Sequence, residues 1–431
     1  MKITILNFGC SSNQASAEVM ASVVNESEHD LIDNPSIADV IILNTCTVKA
    51  TTEKKILHKI RQFGCDGKQV IVTGCMPQVQ KNDIFAANRN AHLLGINAID
   101  ELTQLIDKVK IYQDNKKDKS IEVFNNSSTT ILNTNRIRYN SNIHICPISQ
   151  GCNYECAYCI VRNARGSLKS SDPEMILDDI KKALNDGCRE IWITSQDTGQ
   201  YGDDIGYSLP ALLEEICSIP IDFKVRVGMM NPFSIKEHQD KLVEVFHNDK
   251  IYKLIHLPIQ SASNRILASM NRKNTIEDVN EILSAFKSNF KDLTFFTDVI
   301  VGFPGENDKD FEITVNWIKQ HMPDKVNISR YTPRPGTQAS SFRNLDSRTI
   351  VDRSKHLHQV CEDIKMESKE KMIGWKGEVF VSMPAKINGF MARTPSYKPV
   401  IIKQAKLIPG NKYVVEISDA VPGYFIAEVI Q

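Results

Sequence analysis

Cys152-Asn153-Tyr154-Glu155-Cys156-Ala157-Tyr158-Cys159 sets three thiols in a C-x3-C-x2-C run on a short loop after an extended apolar segment. Three thiolates at that spacing supply three corners of a cubane iron–sulfur cluster. With no fourth cysteine close behind, one iron is left open to an outside ligand. Electron-transfer loops close all four corners, and a structural zinc site needs a fourth thiol or histidine nearby. The missing ligand therefore points to chemistry at an open iron, against the plainer alternatives of a zinc knuckle or a chance group of buried thiols.

A second set of cysteines lies far upstream. Lys2–Phe8 (KITILNF) reads as a buried strand that runs into Gly9-Cys10 before a helical pattern from Ala17. The arrangement repeats where Asp39–Asn44 (DVIILN) ends at Thr45-Cys46 and where Gln69–Thr73 (QVIVT) ends at Gly74-Cys75, each before another helix. Strands alternating with helices make a parallel sheet, and ligands of such sheets bind beyond the carboxyl ends of the strands. A single cysteine after a strand is ordinarily a small core residue, but Cys10, Cys46 and Cys75 in successive βα turns are expected to meet at one edge and share a second metal cluster. Cys65 breaks the pattern, and Cys65, Cys146, Cys188, Cys217 and Cys361 are read as buried free thiols.

The elements that must position these residues follow in chain order. Residues 1–111 form the first α/β domain, and residues 112–140, polar and turn-rich, form a linker or an edge hairpin. Residues 141–370 carry strands near Ser141–Ser149, Glu190–Thr194, Lys224–Met229, Lys253–Leu257, Thr294–Val301 and Lys325–Ser329, each followed by a helical or loop segment. Such a run gives a partial (β/α)6 barrel, with function gathered at the carboxyl ends of its strands. Polar clusters fall at those ends: Ser195-Gln196-Asp197, Asn231-Pro232, Pro258-Ile259-Gln260-Ser261 and Gly302-Phe303-Pro304-Gly305-Glu306. Residues 371–431 alternate in the manner of a small antiparallel β-barrel.

Composition narrows the function classes. At 431 residues the chain is too long for one ordinary core, and 42% hydrophobic with 24% charged residues is the balance of a globular protein without extensive disorder. No apolar run approaches the ~20 residues needed to span a bilayer and the amino terminus lacks a basic lead, so a cytoplasmic protein with no membrane partner is expected. Eleven cysteines there suit metal or redox chemistry better than disulfides. Net charge is zero, which argues against a polybasic protein held to nucleic acid by charge alone. The last 61 residues are the basic part, with eight Lys and Arg against four Asp and Glu. Small barrels of this kind hold RNA on a basic face, and Arg393, Tyr397, Lys398 and Lys403 are the candidates, against the alternative of a merely solvated surface.

The Cys152 loop resembles that of the radical S-adenosylmethionine superfamily. With both triads placed, the whole chain resembles the methylthiotransferases. The resemblance rests on Gly9-Cys10-Ser11-Ser12-Asn13-Gln14, Asn44-Thr45-Cys46-Thr47-Val48-Lys49, Gly74-Cys75-Met76-Pro77, the Cys152 loop, His256-Leu257-Pro258-Ile259-Gln260-Ser261 and Arg334-Pro335-Gly336-Thr337. Gly228-Met229-Met230-Asn231-Pro232 and Arg393-Thr394-Pro395-Ser396-Tyr397-Lys398-Pro399-Val400 are most similar to the branch acting on N6-threonylcarbamoyladenosine at tRNA position 37, in its archaeal and eukaryotic form. One departure is Ser170-Ser171-Asp172-Pro173, where relatives carry a Ser-Arg-Pro-like string.

The resemblance implies two 4Fe–4S clusters and S-adenosyl-L-methionine as cofactors, and a TRAM domain at the carboxyl terminus. The cluster on Cys152, Cys156 and Cys159 would generate a deoxyadenosyl radical, with Ile160 packing on the adenine. The cluster on Cys10, Cys46 and Cys75 would hold a sulfur, accept a methyl group and pass a thiomethyl unit to adenine C2. Further cofactor contacts are expected from Ser195, Gln196, Arg226, Gln260 and Asp298. Partners would be the tRNA anticodon loop, an electron donor such as ferredoxin or flavodoxin, and a sulfur donor. Two rival readings are methylthiolation of a ribosomal protein or another tRNA adenosine, and an RNA-binding sulfur or electron carrier without catalysis.

Overall fold

The computed structural model describes residues 1–114, 119–125, 130–385, 388–403 and 406–430. Residues 115–118 and 126–129 of the expected linker lie outside the described residues. The chain forms two compact units. One comprises Met1–Tyr139, Ile145–Asp179 and Arg334–Ser340, and the other Asn140–His144, Ile180–Pro333 and Ser341–Gln431. Ile145–Asp179, expected with the strands that follow it, thus groups with the first domain and brings the Cys152 loop into the same unit as Cys10, Cys46 and Cys75.

The first unit is built on six parallel strands: β1 (Lys2–Asn7), β2 (Asp30–Leu31), β3 (Val40–Thr45), β4 (Gln69–Gly74), β5 (His92–Leu94) and β6 (Glu122–Val123), in the order β2-β1-β3-β4-β5-β6. The run VIILNT of β3 has no polar alternation because both of its faces are covered. Val40 and Ile42 join Ile3, Met20, Leu102 and Ile106 on one face, below helices α1 (Ser11–Asn25) and α5 (Leu102–Asp114). Ile41 and Leu43 join Ile56, Ile60, Val70 and Val72 on the other, below α2 (Ala50–Cys65). Burying each such side chain contributes about 2 kcal/mol, which fixes the strand registers that carry the cysteines. Two short helices, α3 (Met76–Val79) and α4 (Lys81–Ala87), follow β4. The Cys152 loop is closed at its base by the antiparallel pair β8 (Ser149–Gln150) and β9 (Lys169–Ser170), and leads into α6 (Val161–Arg165).

The second unit holds the barrel strands. Only the first two residues of β7 (Ile143–Pro147) belong to it, followed by β10 (Glu190–Thr194) and β11 (Lys224–Val227), which pair in parallel. A parallel sheet of β12 (Leu254–His256), β13 (Thr294–Val301) and β14 (Lys325–Arg330) continues it, linked by a parallel bridge between Val225 and Ile251. All six expected strands are therefore present. Helices Ile276–Asn289 and Asp308–His321 begin at capping boxes set by Thr275 with Asp278 and by Asn307 with Asp310, so their starts are fixed locally.

The carboxyl-terminal strands β15 (Lys376–Pro384), β16 (Phe390–Arg393), β17 (Pro399–Ile402), β18 (Lys412–Val421) and β19 (Tyr424–Val429) close into a barrel in the order β15-β16-β17-β19-β18. Val379, Val381, Val400, Ile402, Val415, Ile417 and Phe425 fill it. The small barrel expected from the alternation of residues 371–431 is thus present, and β16, with four residues, is too short to show a period by itself. This barrel docks on the amino ends of the larger strand set. Ser382 Oγ donates to Glu190 Oε2 at 2.7 Å, Asn142 Nδ2 donates to Ser382 O at 3.2 Å, and Lys253 N donates to Pro395 O at 2.9 Å.

Candidate catalytic site: two cysteine triads

Cys10 and Cys75 cap the starts of α1 and α3, and Cys46 directly follows β3. Because β1, β3 and β4 are adjacent, with Asn7 opposite Asn44 and Thr45 opposite Gly74, the three thiols arrive together at the carboxyl edge of the sheet. The turn before Cys75 requires glycine: Gly74 has φ +83°, and a Cβ there would stand 2.4 Å from Thr45 O. Asn13 and Asn44 lock the edge. Asn13 Nδ2 donates to Thr45 O at 2.8 Å and Asn44 Oδ1 at 3.2 Å, while Asn44 Nδ2 donates to Asn13 O at 2.6 Å.

Burial pushes the Cys46 thiol up to about 11, against the Val48 N–H that donates to it at 3.5 Å, and proximity to Cys75 and Cys10 pushes it the same way. In the Cys152 loop, burial pushes Cys159 up to about 12, with Cys156 adding to it and the Val161 and Arg162 amides opposing it. Thiols crowded and buried in this way become thiolates only when a metal takes up their charge.

The Cys152 loop is shaped by backbone contacts. Cys152 N donates to Gly166 O at 3.2 Å and Cys159 N to Cys156 O at 3.0 Å. Gly151, at φ +82°, could not carry a side chain, since a Cβ would meet Ser167 O at 2.0 Å. Ile160 is 2% exposed and stands at the start of α6. The departure at Ser170-Ser171-Asp172-Pro173 has a local role. Asp172 Oδ1 accepts from Glu174 N at 2.8 Å and Pro173 opens the helix Pro173–Asn185, so the segment works as a helix start.

Two features of this unit escape sequence reasoning. The first is Arg165, whose Nη2 donates to Asn13 Oδ1 at 2.8 Å, the same oxygen that accepts from Cys10 Sγ at 3.5 Å. The second is the segment Arg334–Ser340. Arg334 Nη1 pairs with Glu53 and its Nη2 donates to Val48 O at 3.0 Å, which holds the chain just after Cys46. Asn163 Nδ2 donates to Gly336 O at 3.2 Å and Ala339 N to Ala157 O at 2.8 Å, so the same short segment also braces the Cys152 loop and α6. The Arg334-Pro335-Gly336-Thr337 motif was visible in the sequence, but its partners lie 281 and 286 residues away.

In the second unit, Asp298 lies within β13 and Gln260 on the loop that follows β12. Gln260 holds φ +65°, donates from its amide to Asp298 O at 2.8 Å and accepts from Ile300 N at 2.9 Å, which fixes a strained backbone beside Asp298. His256, not singled out as a site residue from sequence, places Nε2 2.5 Å from Asp298 Oδ2. Ser195 Oγ accepts from Asp197 N at 2.9 Å, and Gln196 sits beside it in the same turn. Buried Asp197 ties two turns together by accepting from Gly199 N at 3.0 Å and Asn231 N at 2.9 Å. Glu306 accepts from Gly302 N at 2.9 Å and pairs with Arg353 at 2.7 Å, so its turn is braced as well.

The structure gives several of the expected residues protein neighbours. The Arg226 guanidinium lies 5.1 Å from the Trp192 ring and 5.5 Å from the Tyr397 ring. Tyr397 is only 5% exposed and packs edge-on to Tyr252 at 4.9 Å, so it offers no face to a base. Lys398 Nζ is 2.5 Å from Asp324 Oδ1, and Arg393 stacks 4.5 Å from Tyr397. Of the four RNA candidates, Lys403 alone is exposed. Basic and aromatic residues look the same in sequence whether they face solvent or a docked strand. Cys146, Cys188, Cys217 and Cys361 are buried as expected, whereas Cys65 is exposed at the end of α2.

Residues 146–318 match the radical SAM superfamily and residues 2–95 match the uncharacterized protein family UPF0004. Over 432 residues the chain is 39% identical to a probable threonylcarbamoyladenosine tRNA methylthiotransferase of Pyrococcus abyssi, covering 100% of both chains. It is 30% identical over 426 residues to the threonylcarbamoyladenosine tRNA methylthiotransferase of Homo sapiens, covering 97% of this chain and 72% of the human one. Among solved structures, a radical S-adenosylmethionine methyltransferase of Kitasatospora setae superposes with a TM-score of 0.58 at 12% identity, over 79% of this chain and 75% of that one, a likeness of fold.

Proposed function

Because this chain belongs to the threonylcarbamoyladenosine tRNA methylthiotransferase family of radical S-adenosylmethionine enzymes, we propose that it converts N6-threonylcarbamoyladenosine at tRNA position 37 to its 2-methylthio derivative with two 4Fe–4S clusters. The observation that carries this reading is the presence of two separate cysteine triads in one compact unit, with α3 directly after Cys75 packed against α6 just after Cys159. A carrier protein gains nothing from a second, open-iron triad.

Cys152, Cys156 and Cys159 would hold one cluster and Cys10, Cys46 and Cys75 the other. Together with S-adenosylmethionine these groups would supply a deoxyadenosyl radical, a methyl group and the sulfur. The protein's own share is to hold and orient. Asn13 and Asn44 keep the second triad at the sheet edge, and Arg334 keeps the chain after Cys46 in place. Ser195, Gln196, Gln260 and Asp298 remain the proposed S-adenosylmethionine contacts, with Ile160 against the adenine, and His256 fixes the Asp298 carboxylate by its 2.5 Å contact. Arg226, stacked on Trp192 and Tyr397, is kept in that proposed set.

The substrate would be the anticodon loop of tRNA, reached with help from the exposed Lys403 side of the small barrel. A low-potential donor such as ferredoxin or flavodoxin would supply electrons, and a separate donor would supply sulfur. No helix among the described residues is long and apolar enough to cross a membrane, and a cytoplasmic site of action is proposed with the tRNA substrate. Nucleoside mass spectrometry of tRNA from cells lacking the protein tests the reading. It predicts loss of the 2-methylthio nucleoside and a matching rise in N6-threonylcarbamoyladenosine; an unchanged nucleoside profile would overturn it.

A further inference from the structure

Arg165 belongs in sequence to the Cys152 loop, six residues after Cys159, yet it spends its charge on the other triad. Its Nη2 donates to Asn13 Oδ1 at 2.8 Å, and Cys75 favours its charge. Burial disfavours its charge, but Cys75, Cys10 and Cys46 outweigh that and raise its pKa. Asn13 itself is 1% exposed and is held on its amide side by Thr45 O and Asn44 Oδ1, so the oxygen that receives Arg165 is aimed by a rigid network. Arg165 also lines a small pocket with Ser16, Met20, Asn44, Thr73, Gly74, Ile96 and Ile99, behind the sheet edge where the thiols emerge.

The neighbouring cation on the same helix behaves differently. Arg162 pairs with Glu155 inside its own loop and its side chain is 35% exposed. Arg165 instead reaches out of its own loop, to Asn13 of the amino-terminal domain. A half-buried arginine on the Asn13 oxygen, which also accepts from Cys10 Sγ at 3.5 Å, is arranged for an anionic group.

We propose that Arg165 is a positioning residue of the Cys10, Cys46 and Cys75 cluster, a cation that offsets the charge of that cluster and draws an anionic sulfur ligand, sulfide or a thiolate, to it. The inference rests on the two-cluster reading above. It makes one helix serve both triads: α6 follows one set of ligands and supplies the counter-charge of the other. Outer groups of this kind tune the affinity and potential of a metal site without touching the metal.

The test uses the full chain, reconstituted anaerobically, with methanethiolate as the probe and the electron paramagnetic resonance signal of the amino-terminal cluster as the readout. Arg165→Met should weaken methanethiolate binding about ten- to a hundredfold and lower the reduction potential of that cluster. Arg165→Lys, which keeps the charge, should recover most of both effects. Arg162→Met removes one positive charge from the same helix and should change neither. If Arg165→Met carries eight irons and binds methanethiolate with wild-type affinity at wild-type potential, the proposal is overturned. If Arg165→Lys is as impaired as Arg165→Met, the side chain is a brace for Asn13 and the electrostatic role is overturned. Wild-type protein that takes up iron only on the Cys152 loop overturns the two-cluster reading and this inference with it, and iron counting tells that result from the other two.

Discussion

Lys398 Nζ lies 2.5 Å from Asp324 Oδ1, so a lysine of the small barrel is tied to the residue just before β14. The pair is mostly shielded, with side chains 17% and 24% exposed, and beside it Tyr397 packs against Tyr252 and within reach of Arg226. The segment Thr394–Lys398 is therefore a docking element of the barrel. Tyr397→Ala should destabilise the protein by about 3 kcal/mol, as expected for a buried aromatic truncated to alanine. Thermal unfolding of the purified variant measures it. Lys403→Glu, on the exposed side, should leave the unfolding temperature within a degree or two and weaken tRNA binding most at low salt. A Tyr397→Ala protein of normal stability with reduced tRNA affinity would return Tyr397 to the RNA surface.

The Arg334 clamp gives a second expectation. Its side chain is 7% exposed and that of Glu53 18%, so removing one partner leaves a shielded charge without its counter-ion. Arg334→Ala should cost about 3 kcal/mol and, by freeing Val48 O, loosen the chain after Cys46. Iron at the amino-terminal triad should be lost before iron at the Cys152 loop during chelator challenge. Equal loss rates at the two sites would show that the clamp does not act on Cys46.

His92 supplies a pH dependence. It is 2% exposed, its Nδ1 accepts from Ile121 N at 3.1 Å, and burial lowers its pKa to about 4 from 6.5. The unfolded chain binds more protons than the folded one between those values, so stability rises with pH there. The contribution is whole above pH 6.5 and is lost as pH falls toward 4, to a total of roughly 3 kcal/mol. Denaturant unfolding at pH 7 and pH 4.5 should differ more for the wild type than for His92→Gln. Parallel curves for the two proteins would remove His92 as the cause.

How much of this was legible in sequence depends on how local each signal is. Cys10, Cys46 and Cys75 could be read because β-branched runs ending in Gly-Cys or Thr-Cys mark strand ends without any tertiary knowledge, and the order β1-β3-β4 then brings them together. The Cys152 spacing is local in the same sense. Arg165 was not legible, because nothing in Ala164-Arg165-Gly166 says that its partner is Asn13, 152 residues away. The stacking of Arg226 on Tyr397 was not legible either. Each is polar or aromatic at a plausible position, and only the folded chain shows that they stack on one another. The strand β16 was not legible by itself, because four residues between turns carry no period to detect.

The division of labour between the triads gives the last prediction. A Cys10→Ala, Cys46→Ala, Cys75→Ala variant keeps the Cys152 loop, whose own supports are Gly151, the β8–β9 pair and the Ala157–Ala339 backbone contact. It should therefore retain about four of about eight irons and still form 5′-deoxyadenosine from S-adenosylmethionine when reduced. It has no second triad to hold sulfur, so tRNA bearing N6-threonylcarbamoyladenosine should gain no 2-methylthio group. The Cys152→Ala, Cys156→Ala, Cys159→Ala variant should also keep about half the iron but form neither 5′-deoxyadenosine nor product. If the amino-terminal thiols served only to pack their domain, any folded variant of the first kind would retain some product. Iron counting, a deoxyadenosine assay and nucleoside mass spectrometry on the two variants separate these cases. Methylthiolated tRNA from a folded protein with no amino-terminal iron would leave a one-cluster enzyme that takes its sulfur from elsewhere.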